Sequence, residues 1–438
     1  MHSIGRSEIM QMKLVEKPCA HGGVMDGDRA QKRYVRVPSR AGETLWTVAF
    51  ALMLAPFFEL RGLNYIVSPV WGEMYFGWRI ASTIAISILF LLTGKKRGFS
   101  WLAIAVSLSV LISTIINTGI GTSWTLWQWL LDWAPLALGA MLMSVAVGQS
   151  LTAFLRAVTI VTGIIVVANF VFVLVWPTGI WVQSALEGFT LIGNKNLAVF
   201  LVLLGTSSSL VLGLMRDRKA ILAACTIYIS GLLQCVIYYS ATSMTALVLF
   251  GLIMLVFRCA KLRVAVNGLS IGIAYVFVFC SIVLFRLQNN LSLLIEGVLG
   301  KSLTFTGRTA VWDGVISMTD GEHLLFGYGT APRFHLEFDN FVYNHPHNDI
   351  LSVLLSGGIV ALVLYLILVG WALGILYKNR TELLSHIFCA ALTAFFAVAL
   401  MEPLFSIAWG VALGMAYYAP YALMERGGCE SEFRFIGQ

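Results

Sequence analysis

HPHNDILSVLLSGGIVALVLYLILVGWALGIL, residues His345 to Leu376, decides how this chain is read. Four of the first five residues are polar, and none of the residues from Ile350 to Leu376 carries a charge. A helix over that run is longer than a bilayer core of roughly 30 Å. The stretch is therefore a membrane helix with a polar cluster at its start.

Working outward, the same pattern recurs. Apolar runs lie at about 44–60, 76–93, 100–118, 130–148, 153–176, 195–215, 220–239, 243–258, 264–285, 350–376, 384–402 and 404–423. The chain is 58% hydrophobic and only 12% charged, with a mean hydropathy of +0.84. A soluble domain carries about twice that charge. The runs are continuous rather than alternating, which excludes a transmembrane barrel. The expected class is all-α: a polytopic membrane protein of about 12 transmembrane helices.

Lysine and arginine set the expected orientation. With the N-terminus inside, inner loops hold Lys95, Lys96, Arg97, Arg216, Arg218, Lys219, Arg258, Lys261, Arg263, Lys378 and Arg380. The positive-inside bias then puts both termini in the cytoplasm. The expected organisation is a cytoplasmic tail over 1–43, helices 1–9 over 44–285, a periplasmic loop over 286–349, helices 10–12 over 350–423, and a cytoplasmic tail over 424–438. The first tail is polar and basic, without the apolar core of a secretory leader. It contributes to the net charge of +7. Lipid attraction explains that charge, and nucleic-acid binding is not implied. The seven cysteines form no metal or redox pattern and read as small apolar fillers.

The loop between helices 9 and 10 is long enough to imply function. Val311, Trp312, Val315 and Ile316 mark one face of a short helix within it, with Trp312 suited to a membrane interface. An ordered, partly helical cap is expected there.

Four sets of residues could carry chemistry. In HPHND, 345–349, Pro346 suits a first helical turn, with Asn344 or His345 as cap. His347 and Asn348 would follow in that turn, at an end that favours anions. Asp349 suits the same dipole. The alternative is a capped helix with incidental histidines. The HxHxD spacing also resembles a metal ligand set, but no nearby carboxylate or cysteine cluster completes it, so no metal is assigned. In GRTAVW, 307–312, the Arg308 guanidinium could grip a phosphate through two parallel hydrogen bonds, or be an ordinary loop arginine. In GNKN, 193–196, Lys195 runs against the inside bias, as does Arg79 at the outer end of helix 2. Both are candidate substrate-binding cations, or snorkel to lipid headgroups. Arg61, Arg286 and Arg333 are further outside cations. FGYG, 326–329, reads as a tight turn rather than a nucleotide loop. SATSMT, 240–245, could bond sugar or phosphate, or cap helix 8. Together these supply cations for phosphate and a histidine suited to proton transfer near neutral pH, in a lipidic bundle. The matching substrate is an anionic lipid-linked glycan.

GRTAVW, HPHNDILSVLLSGGIVA and GNKNLAVF, in that topology, resemble elements of the O-antigen ligase and polymerase superfamily of bacterial envelope enzymes. The resemblance implies an inner-membrane glycosyltransferase that uses an undecaprenyl-pyrophosphate-linked glycan, without a metal ion or other cofactor. It implies that His347 is the general base and Arg308 a pyrophosphate ligand. The substrate-binding candidates are Lys195, Arg79, Arg333, His345 and Asn348. Members often carry an arginine in the serine-rich turn, where this chain has Met244. A flippase and a chain-length regulator are the implied protein partners. Polymerisation of repeat units is favoured, for exopolysaccharide or O-antigen assembly. Transfer of finished glycan to lipid A-core is the alternative, and a twelve-helix transporter a third reading. Common transporters have two matched halves with a central inner connection, whereas here the long connection is late and outside.

Overall fold

A computed structural model describes residues 40–63, 70–95, 97–117, 125–179, 181–184, 187–215, 217–291, 304, 305, 307–319, 321, 323–330, 336–338, 341–343 and 345–427. Each of the twelve apolar runs holds a helix. The elements in order are α1 (Arg40–Leu54), α2 (Val70–Thr93), α3 (Gly98–Ile116), α4 (Thr125–Asp132), α5 (Ala134–Gln149), α6 (Leu151–Val175), β1 (Trp181–Ser184), β2 (Glu187–Phe189), α7 (Ala198–Leu214), α8 (Arg218–Ile237) and α9 (Ala241–Val256). After them come α10 (Ala260–Ala265), α11 (Gly268–Phe279), α12 (Arg308–Met318), α13 (His323–Phe326), β3 (Leu336–Phe338), β4 (Phe341–Tyr343), α14 (Asp349–Lys378), α15 (Leu383–Ala399) and α16 (Ile407–Gly427). A single π-turn, Cys280–Leu284, ends α11. The strands form two antiparallel hairpins, β1 with β2 and β3 with β4.

The chain is a multi-pass membrane protein, but the count of twelve crossings goes beyond what helix length supports. Among the described residues, α2, α3, α6, α8 and α14 are long and apolar enough to span. The pair α4–α5, bent by 51°, makes a sixth if taken as one span. Others are short: α7 and α15 have 17 residues each, about 25 Å of helix.

Helices pack through small residues rather than through a hydrophobic drive, which lipid tails would not supply. On α16, Gly410 lies so close to the Leu136 carbonyl of α5 that a Cβ would collide with it. Buried hydroxyls find partners inside: Ser100 Oγ donates to Ala140 O and bonds Tyr418 OH, each at 2.8 Å.

The bundle has two distinguishable ends. One joins Glu43, Arg156 and Asp217 by ion pairs, and Lys95 N to Ser144 O. The other gathers the loops around Gly62, Leu191, Asn196, Ser240, Arg308, Gly327, His347 and Glu402.

That second end carries the cap. Part of the loop is helical, as expected, with β3–β4 in addition. Its FGYG segment is a turn, with Gly327 at φ +64° and Gly329 at φ +85°. Tyr328 N and Gly329 N donate to Leu355 O and Ser356 O of α14, each at 2.8 Å. Those carbonyls are available because α14 breaks at Gly358, φ +65° and ψ −164°. Only glycine adopts that conformation readily, and here the Leu325 backbone also leaves no room for a Cβ.

Trp312 is no interface anchor. It is completely buried, its indole N–H donates to Pro346 O at 3.1 Å, and Arg286 covers its ring at 5.1 Å. A loop helix must find its own partners, and this one uses α14 and the segment before it. The cysteines also divide. Cys235 and Cys389 are buried fillers, while Cys225 and Cys259 are exposed.

Candidate functional site

Asn348 begins α14, not Asn344 or His345. Its side-chain oxygen accepts from Leu351 N at 3.1 Å, and its amide nitrogen donates to Leu400 O at 3.2 Å. Both ends of the amide are thus engaged, and the residue is fully buried. Asn344 lies outside the described residues. His347 precedes the helix with φ +49° and does not sit in its first turn.

The ring meets Glu402, in the short connection between α15 and α16. His347 Nδ1 lies 3.3 Å from Glu402 Oε2. Arg308 Nη2 donates to Glu402 Oε1 at 2.9 Å, and Asn196 Nδ2 donates to the same oxygen at 2.9 Å. Ser240 Oγ donates to Asn196 Oδ1 at 2.6 Å. The loop before α7, the turn before α9, α12, the approach to α14 and the α15–α16 connection therefore meet at one carboxylate. The rings of His345 and His347 lie 3.8 Å apart, tilted by 36°.

Local folding explains each position. Gly307, φ +82°, starts α12 so that Arg308 is its first residue. Trp312 on the same helix fixes Pro346, between the two histidines. Asp349 reaches across as well: its Oδ1 accepts from Leu404 N at 2.8 Å, and Tyr365 OH donates to Oδ2. Trp409 Nε1 donates to Tyr365 OH at 2.9 Å. Asn348 and Asp349 thus pin both flanks of Glu402 to the start of α14.

Electrostatics follow from this geometry. Burial works to raise the Glu402 carboxyl. The His347 hydrogen bond, Arg308 and the charges of both imidazoles outweigh it and hold the group below its ordinary value. Glu402 is therefore an ionised acceptor, and His347 Nδ1 must carry the proton it offers. Nε2 is then the basic nitrogen, the arrangement that a carboxylate imposes on a catalytic histidine. His345 keeps a solvent-exposed edge, yet protein crowded around its ring lowers its pKa to about 4. The His347 and Arg308 charges add to that, against Glu402.

The remaining sequence candidates divide. Lys195 is half-buried beside Asn196, and no ion pair involves it among the described residues. Arg79 is buried and committed, with Nε donating to Pro56 O at 3.3 Å and Nη2 3.6 Å from Glu59. A cation in the first turns of a spanning helix needs such partners. Arg61 also faces Glu59, at 3.8 Å. Arg286 bridges Asp313 and Thr309 O, so it fastens the cap. Arg333 lies outside the described residues. In SATSMT, Ser240 joins the Asn196 relay, while Met244 packs against the core.

Glu402 is the residue that motif reading misses. Its signal is present: MEPLF, 401–405, puts a lone carboxylate between two apolar runs, where an acidic group is costly without a role. Its arrival also removes the reason for setting metal aside. His345, His347 and Glu402 bring ligand atoms within 4.8 Å of one another, so a distant segment completes the HxH pair.

Residues 226–366 match the O-antigen ligase family. That stretch runs from α8 into α14 and includes Arg308, His345 and His347. Lys195, Asn196 and Glu402 lie outside it. No curated protein matches the chain.

Proposed function

We propose that this enzyme of the O-antigen ligase and polymerase type joins repeat units carried on undecaprenyl pyrophosphate, at the outer face of a bacterial inner membrane. The observation that carries this reading is the convergence of His347 and Arg308 on Glu402. An acceptor sugar hydroxyl attacks the anomeric carbon of the donor glycan. Its proton passes to His347 Nε2, the bond from the anomeric carbon to the pyrophosphate oxygen breaks, and polyprenyl pyrophosphate leaves. Glu402 keeps the imidazole in the right tautomer and stabilises the imidazolium that forms. Arg308 and Lys195 match the charge of the leaving group, so no separate acid is needed. Glu402 offsets part of the Arg308 charge, which makes Lys195 the cation that tips the site positive.

The positive-inside count supports cytoplasmic termini and an outward site. Ligation is the second reading, favoured by the description of the matching family. The same base and clamp serve both, and only the acceptor differs. The test is the product that accumulates on the lipid carrier when His347→Ala replaces the native chain. Single repeat units indicate a lost polymerase, and long glycan a lost ligase. Normal surface polymer at matched protein level would overturn both.

A further inference from the structure

We propose that His345, His347 and Glu402 form a reversible site for a divalent cation of the zinc class, and that its occupancy switches the base off. The second half rests on the assignment of His347 as base; the first half does not.

The donor set comes from two chain segments yet lies within 4.8 Å. Its central pair has suitable spacing already. Two ligands each about 2.0–2.1 Å from a tetrahedral cation are about 3.3 Å apart. His347 Nδ1 and Glu402 Oε2 are separated by 3.3 Å. A cation can therefore replace the shared proton with little movement of either group. The other carboxylate oxygen is held by Arg308 and Asn196, each at 2.9 Å. Hydrogen bonds of this kind orient a ligating carboxylate and leave Oε2 to bind through one atom. His345 supplies the third donor and keeps an edge open to solvent, which gives an entry path. Two imidazoles with one carboxylate suit zinc, cobalt or nickel, and not the oxygen-seeking magnesium or calcium. Arg308 opposes the incoming charge, so occupancy is reversible.

The consequence follows from proton counting. A neutral imidazole carries one proton. A cation on Nδ1 forces that proton onto Nε2, the nitrogen that must accept from the sugar. The bound site cannot act as base until the cation leaves.

The test uses the full-length protein in detergent, stripped with a chelator. Cobalt(II) should give the visible absorption of a four-coordinate site, and zinc should abolish it at about one equivalent per chain. Magnesium should not compete. His345→Ala and Glu402→Gln should each weaken zinc binding at least about 10-fold, the lower bound for disturbing a metal's surroundings. His323→Ala, elsewhere in the cap, should leave it unchanged. Glu402→Gln risks misfolding, so His345→Ala is decisive. Zinc affinity indifferent to His345→Ala, or no cobalt band from folded wild type, would overturn the site and leave His347 as base untouched. In membranes making glycan, zinc should inhibit wild type at least about 10-fold more strongly than His345→Ala, each relative to its own zinc-free rate. Binding through these residues without inhibition would overturn the switch and count against His347 as the base.

Discussion

Glu402 Oε2 lies 3.3 Å from His347 Nδ1, across 55 positions of sequence. The pair joins the start of α14 to the α15–α16 connection, and it turns an interfacial histidine into an oriented one. Glu402→Gln removes the charge that stabilises the imidazolium and also leaves Arg308 without its partner. Glycan transfer should fall by about 10²- to 10⁴-fold, the range of base catalysis itself. Transfer within a few-fold of wild type, measured on purified protein at matched amount, would remove Glu402 from the mechanism.

The two histidines should separate. His347→Ala should abolish polymer while the protein still accumulates, whereas His345→Ala should retain transfer. The comparison is glycan chain length on gels for both variants. The reverse pattern would move the base to His345.

Arg308→Ala and Lys195→Ala each delete a charge-assisted contact worth about 1.5–3 kcal/mol, or about 10- to 150-fold in rate. Arg308→Lys should restore only part, because an ammonium cannot serve both Glu402 and a phosphate with a planar fork. Initial rates with a lipid-pyrophosphate donor decide this. Full activity of Arg308→Lys would argue for a simple point charge.

Asp349→Ala should lower stability rather than chemistry first. It leaves Leu404 N and Tyr365 OH buried without the carboxylate, at about 1–3 kcal/mol for each unsatisfied group. Thermal unfolding in detergent should shift downward. Asp349→Asn keeps an acceptor for Leu404 N and should lie between. Equal melting of wild type and Asp349→Ala would show that these bonds do not hold the connection.

Orientation is open to direct labelling. Ser317 is exposed on α12, and Thr381 is exposed beyond α14 at the opposite end. In a cysteine-free background, Ser317→Cys should react with an impermeant thiol reagent added to cells with a permeabilised outer membrane. Thr381→Cys should react only after lysis. The opposite result would invert the topology and bring the site to the cytoplasm.

Residue chemistry alone was enough for the helices, because a run such as 350–376 has no other stable form in lipid: its backbone must bond within itself. Composition likewise made the polar segments around Arg308 and His347 conspicuous, since each breaks a largely apolar background. Pro346 misled the reading of the helix start. A proline fits a first turn, but the Asn348 amide both caps α14 and ties Leu400, and that double use moved the boundary. Trp312 misled for a similar reason, since an indole suits an interface until a carbonyl such as Pro346 O lies within reach. Arg79 looked available because local sequence does not reveal that Glu59 and Pro56 O await it. Glu402 shows the limit most plainly. Nothing near it in sequence is polar enough to form a motif, and its partners come from 196, 308 and 347. Local sequence decides which segments enter the membrane, through the cost of burying polar groups in lipid. Which charges meet is decided only when helices far apart in sequence pack and bring their loops to the same end.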